Sequence, residues 1–190
     1  MTARSFASVR RAGESQGGFT LIEVLVYLSL FAIILGGAII AAYSVFESSG
    51  RNQTSAMVQE EGDFLIGKVS WALSGAEAVN LPAVNSAGSI LSVNKVTGVN
   101  SFTGQTTVTP IVVDMDPVVL TDIRITEGAN PPQTLNNTNV QVSGLQFDHE
   151  SASGDGLQPE SVAASFTVSA RTPNGAIISR DFSKTTYIRR

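Results

Sequence analysis

No cysteine occurs among the 190 residues. That excludes disulfides, thiolate metal sites and cysteine nucleophiles. It also removes one usual mark of an exported protein, so compartment has to be argued from the N-terminus. Charge is scarce too: 15% of residues are Asp, Glu, Lys or Arg, against about 25% in an average soluble domain. A shortage of that kind fits a chain with part of its length in lipid. The net charge is −4, with no basic stripe of the sort nucleic acid demands, so no nucleic-acid partner is expected. Histidine is reduced to His149, between Asp148 and Glu150, and it reads as a solvated loop residue. No Ser-His-Asp set can be argued from the sequence, and no glycine-rich loop follows a strand and opens a helix. The expectation is a protein that is not an enzyme and carries no cofactor. No internal repeat is visible.

What is present begins at the N-terminus. Residues 1–18 are polar, with Arg4, Arg10 and Arg11 against one Glu14. From 24 to 46 there is no charged residue, a run of about 23 residues or roughly 34 Å as a helix, enough to cross a hydrocarbon core. The apolar region of a secretory peptide is shorter, about 7–15 residues, and ends in a small-residue cleavage site. This span therefore reads as a lasting anchor. The arginines ahead of it should stay cytoplasmic, giving a single pass with N-in, C-out topology. Glu23 is out of place, an acid only a few residues inside the apolar segment, where an ionisable group is costly unless paired. The bland alternative is an interfacial glutamate reaching headgroups.

Gly18-Phe19-Thr20-Leu21-Ile22-Glu23 ahead of an apolar helix resembles the class III signal of type IV prepilins and type II secretion pseudopilins. The resemblance implies cleavage between Gly18 and Phe19 by a membrane prepilin peptidase, which also N-methylates Phe19. Gly18 suits that step, since it lacks a Cβ and lets an enzyme approach the backbone closely. The resemblance further implies that Glu23 pairs with the terminal amine of a neighbouring subunit, Phe19 in each copy, and so sets the register of one helix on the next. Implied partners are the peptidase, other pilin or pseudopilin subunits, the inner-membrane assembly machinery and lipid. Major pilins usually carry a proline near mid-span; this span has none, which argues for a minor subunit. Gly36 and Gly37 are its soft point and candidates for close helix packing, or else they merely face lipid.

Beyond the anchor, helical periodicity continues from Glu47 to about Ala78, with Val58, Leu65, Val69, Leu73 and Ala76 on one face. Met57, Phe64 and Trp71 form an adjoining stripe, read as packing on the domain's own sheet, with a neighbouring subunit as the alternative. Pro82 is expected to end the helix. The period then shortens to two. Candidate strands are 90–96, 106–114, 118–126, 139–147, 162–171 and 177–183, with a last piece near Tyr187. Ala164, Phe166, Val168 and Ala170 alternate with Ser165, Thr167 and Ser169, the pattern of a sheet with one wet face. Asn174-Gly175 marks a hairpin, and 129–139 reads as a long loop. The expected fold class is α+β, pilin-like, with a long N-terminal helix on an antiparallel sheet. The expected division is a leader at 1–18, a transmembrane helix at 19–46, its amphipathic continuation at 47–80 and an exported β-rich domain at 81–190.

The segments 142–147 and 157–162 and the closing hairpin are similar to J-type minor pseudopilins. Asp148, Glu150, Asp155 and Glu160 could gather oxygens around calcium, with Asp148 and Asp155 the weak candidates, but their spacing fits no recognisable loop. Asn52-Gln53-Thr54 and Asn136-Asn137-Thr138 fit the glycosylation acceptor pattern. Two functions stand side by side. One is a filament subunit that polymerises through Phe19 and Glu23. The other is a single-pass anchor for a β domain that binds a ligand or surface without polymerising.

Overall fold

The computed structural model describes residues 18–99, 102–154 and 158–188. Arg4, Arg10, Arg11 and Asp155 lie outside the described residues. One helix, α1, covers Leu21–Leu73, and the chain divides into two compact units between Val45 and Phe46.

The first unit is the apolar part of α1. It is long and apolar enough to cross a membrane, and none of its most apolar window is buried within the chain. Leu, Val, Ile and Phe side chains point outward all round, as in a helix meant for lipid rather than for a protein core. The helix continues through Gly36 and Gly37 without a break, and nothing lies within 4 Å of a β-carbon at either.

In the second unit α1 becomes one-sided. Val58, Leu65, Val69 and Leu73 are buried, as their spacing predicts. The helix stops at Leu73, earlier than the expected end near Ala78, and the cause is Gly75 rather than Pro82. Gly75 takes φ 73°, the left-handed turn after a helix C-terminus that only glycine adopts without strain. The last turn holds no basic residue. Lys95 supplies one from the sheet. Its Nζ donates to the Trp71 carbonyl and to Ser74 Oγ (3.2 Å) and sits 4.1 Å from the Trp71 ring centroid. A cation is favourable at that end of a helix.

Among the described residues nine strands follow: β1 Ala76–Leu81, β2 Ser86–Gly88, β3 Leu91–Val99, β4 Thr106–Met115, β5 Ile123–Glu127, β6 Gln133–Thr134, β7 Val140–Glu150, β8 Ser161–Arg171 and β9 Ile177–Tyr187. They form two antiparallel sheets, β1-β3-β4-β5-β6 and β2-β7-β8-β9. The helix face and the inner faces of both sheets meet in one hydrophobic core that includes Leu65, Leu91, Val113, Ile123, Phe147 and Val168. An α+β, pilin-like fold with the helix against antiparallel sheet is therefore what the chain adopts.

Several strand expectations need correction. Ala76 is buried as the first residue of β1, not as the last of the helix. The stretch 118–126 is a strand only from Ile123. Before it, Asp116 Oδ1 accepts from the amides of Val118 (2.7 Å) and Val119 (3.0 Å), which curls the chain into a turn. The loop expected at 129–139 contains the two-residue β6. The pieces expected at 177–183 and near Tyr187 are one strand. β8 alternates as expected, with Ala164, Phe166, Val168 and Ala170 buried. At the Asn174-Gly175 hairpin only Gly175 takes positive φ, 87°. Its amide bonds the Thr172 carbonyl (2.9 Å) while the Thr172 amide bonds Ala176 O (2.8 Å).

Candidate functional site

The residues expected to serve processing and assembly open the described part of the first unit. Gly18, Phe19 and Thr20 are exposed, Phe19 by 76%. Among the described residues nothing lies within 4 Å of a β-carbon at Gly18, so their packing does not call for glycine there. Thr20 is the helix cap. Its carbonyl accepts the first helical bond from the Val24 amide (3.2 Å), and its Oγ1 accepts from the Glu23 amide (3.3 Å). Thr20-Leu21-Ile22-Glu23 has the spacing of a capping box, and the acid at its third helical position also suits the positive end of the helix dipole.

The Glu23 side chain has a partner within its own helix. Tyr27 donates its hydroxyl proton to Glu23 Oε1 at 3.2 Å. The carboxylate thus has a partner already in the isolated subunit. The sequence reading missed Tyr27, although the signal was there: a tyrosine four residues after an acid lies on the same helix face.

In the second unit the structure overturns the reading of His149. Rather than a solvated loop residue, it is a β7 residue 1% exposed. Its Nδ1 lies 2.9 Å from the Pro82 carbonyl and its Nε2 2.9 Å from Glu160 Oε1. A carbonyl only accepts, so Nδ1 donates there, and the contact to Glu160 is closed by a proton between ring and carboxyl. Glu160 is thus engaged by histidine. Asp148 Oδ1 accepts from Gln146 Nε2 (3.2 Å). Among the described residues no three His, Asp or Glu side chains gather as a metal site would require. The calcium expectation gains nothing from Asp148.

Asn136 is likewise spent on the fold. It is buried; its Oδ1 accepts from the Ile123 amide (2.8 Å) and its Nδ2 donates to Val140 O (3.2 Å). That leaves no free amide for a glycan at 136–138. Phe64 (46% exposed) and Trp71 (41%) stay outside the domain core, Trp71 meeting the sheet through Lys95, while Met57 packs against the core as the own-sheet reading has it. Lys68 Nζ stands 5.7 Å from the centroid of each of these two rings.

Residues 15–39 match the family described as the prokaryotic N-terminal methylation motif. The match does not extend to the segments similar to J-type pseudopilins. No significant match was found among curated proteins or among solved structures. The matched segment contains Gly18-Phe19, the capped helix start and Glu23 in one register, and the helix behind it has membrane-spanning length. These features mark the chain as a membrane-anchored precursor carrying the processing and methylation signal of type IV pilins and pseudopilins.

Proposed function

We propose that the chain is a minor pilin or pseudopilin, a structural subunit of a type IV pilus or type II secretion-like filament. Prepilin peptidase removes 1–18 and methylates Phe19. The subunit waits in the inner membrane with its N-terminus cytoplasmic and its β domain outside. The assembly machinery then packs it against other subunits, with Glu23 taking the neighbour's terminal amine. The observation that carries this reading is the methylation signal in register with a spanning helix. Gly18 adds support: the described residues make no packing demand for a glycine there, and its place in the signal suits an external enzyme that needs bare backbone. The absence of proline from the span suits a minor subunit.

The experiment is the mass of the membrane-extracted protein. Loss of residues 1–18 and gain of one methyl group is the expected result. Gly18→Val should block both, because its branched side chain obstructs the scissile bond. Normal maturation of that variant overturns the reading, and an intact N-terminus in the wild type favours a plain anchored β domain.

A further inference from the structure

We infer that Tyr27 is a positioning residue for assembly: its hydroxyl holds one oxygen of the Glu23 carboxylate inside the bilayer and leaves the other aimed at the incoming terminal amine. The inference rests on the assembly reading above and adds a residue to it.

The geometry is local. Side chains on an α-helix lean towards its N-terminus, so residue 27 reaches back over the turn that holds residue 23. The hydroxyl lies 3.2 Å from Oε1. One residue type fits that task in this setting. A tyrosine ring is apolar enough to sit among Val24, Leu28 and Phe31, which line one shallow cleft with it and Phe19. Its hydroxyl is a single donor at the end of a rigid arm. A tyrosine of an interfacial belt turns its hydroxyl to water and headgroups. This one turns it along the helix to a carboxylate. The bond serves both partners, since neither a phenol nor a carboxylate is at ease in hydrocarbon without one.

The backbone of the acid is fixed as well, because the Glu23 amide is tied to Thr20 Oγ1. Backbone and side chain of the acid are thereby set before any neighbour arrives. An ionised carboxylate has about four acceptor positions. Tyr27 uses one, and the two N–H groups of a methylated terminal ammonium can take others without displacing it. Preorganisation of this kind lowers the ordering cost of docking rather than adding a new contact.

The test compares the wild type, Tyr27→Phe and Glu23→Ala, each expressed with the other subunits. Cleaved subunit is measured in membranes and in sheared filaments. Tyr27→Phe keeps the ring and the apolar run, so cleavage and membrane level should match the wild type while incorporation falls about tenfold, the scale of one charge-assisted hydrogen bond. Glu23→Ala should fall further. In lipid vesicles, the Glu23 carboxylate carbon resonance of the mature wild-type subunit should shift in Tyr27→Phe while the helix backbone resonances stay. Failure of Glu23→Ala with normal incorporation of Tyr27→Phe overturns the inference alone, as does an unmoved carboxylate resonance. Normal incorporation of Glu23→Ala overturns the assembly reading, and the inference falls with it.

Discussion

The Phe182 ring occupies the place where a side chain on Gly62 would have to sit: a β-carbon added to Gly62 would lie 2.0 Å from Cζ of that ring. The ring cannot easily retreat, since it stacks on Phe166 at a centroid separation of 5.8 Å. A glycine inside a helix is unfavourable by about 1 kcal/mol relative to alanine, and here close packing offsets the loss. Gly62→Ala should destabilise the β domain by about 1–3 kcal/mol, the usual cost of overpacking. Gly67 sits one and a half turns on, with nothing within 4 Å of a β-carbon. Gly67→Ala should stabilise by up to about 1 kcal/mol. Urea unfolding of the detergent-solubilised mature protein measures both. Equal effects of the two substitutions would show that Phe182 does not discriminate between these positions.

A second prediction concerns His149, which joins the Pro82 carbonyl to Glu160. His149→Leu keeps bulk but removes the donor to the Pro82 carbonyl and the ring partner of Glu160, at about 1–3 kcal/mol for a buried polar group that loses its hydrogen bond. Glu160→Gln should be mild by comparison. With Nδ1 donating to Pro82, a neutral ring offers Nε2 as an acceptor, and a glutamine amide can donate to it. Thermal unfolding should rank the variants in that order. A glutamine variant as unstable as the leucine one would show that the carboxyl, not the hydrogen bond, is what the site needs.

His149 also shows where the sequence stopped being legible. Inward residues of β7 are even-numbered at Val140 and Val142, then odd-numbered at Leu145, Phe147 and His149. The change follows a bulge between Ser143 and Gln146, where Gly144 takes φ 66°. An inserted residue flips every side chain beyond it to the other face. Gly144 was visible in the sequence, but a lone glycine in a strand does not say whether parity is kept or reversed. By contrast β8 has no such interruption, and its alternation was readable residue by residue. The helix face at Val58, Leu65, Val69 and Leu73 was equally plain. Its end was not: Gly75 and Pro82 both stop helices, and a buried Ala76 fits either a helix stripe or a strand start. Phe64 and Trp71 were open to two readings for a related reason, since an apolar stripe shows which residues share a face but not how fully anything covers it. At the N-terminus the motif gave Gly18, Phe19 and Glu23 together, because a chain signal is read in one dimension. The Tyr27 bond needed the helix to be built first.

A third prediction is pH-dependent. Backbone hydrogen bonds from Val119 and Val118 hold the Asp116 carboxyl below its ordinary 3.8, with the Arg124 charge a smaller aid and burial opposing. A carboxyl whose folded value is depressed stabilises the fold above the unfolded value, and the contribution is lost as pH falls through the folded one. The 116–120 turn should therefore stay closed at neutral pH and open in acid below 3.8. Hydrogen-exchange protection of the Val118 and Val119 amides measures it. Protection should drop across that window in the wild type and be low at every pH in Asp116→Ala. A flat wild-type profile would mean that the turn closes without the charge.

The last prediction addresses orientation, which the proposed function requires to be N-in and C-out. The chain has no cysteine, so a single introduced thiol is an unambiguous reporter. Val118 is the better place for it. Its side chain is 87% exposed, whereas the hydroxyl of Ser153 accepts from the Gln158 amide (2.9 Å) and would be lost on substitution. Val118 takes part in the Asp116 turn through its backbone amide. Val118→Cys should leave stability within about 0.5 kcal/mol, as surface changes generally do. An impermeant thiol reagent should then label the protein in intact cells, or in spheroplasts where an outer membrane blocks access. The physical cause is the leader: three arginines ahead of the span resist crossing, while the charge-poor helix carries the domain through. Reversing the three arginines to glutamates should weaken that preference and lower the labelled fraction. Labelling that appears only after the inner membrane is lysed would place the β domain in the cytoplasm, and a filament role outside the membrane could not stand.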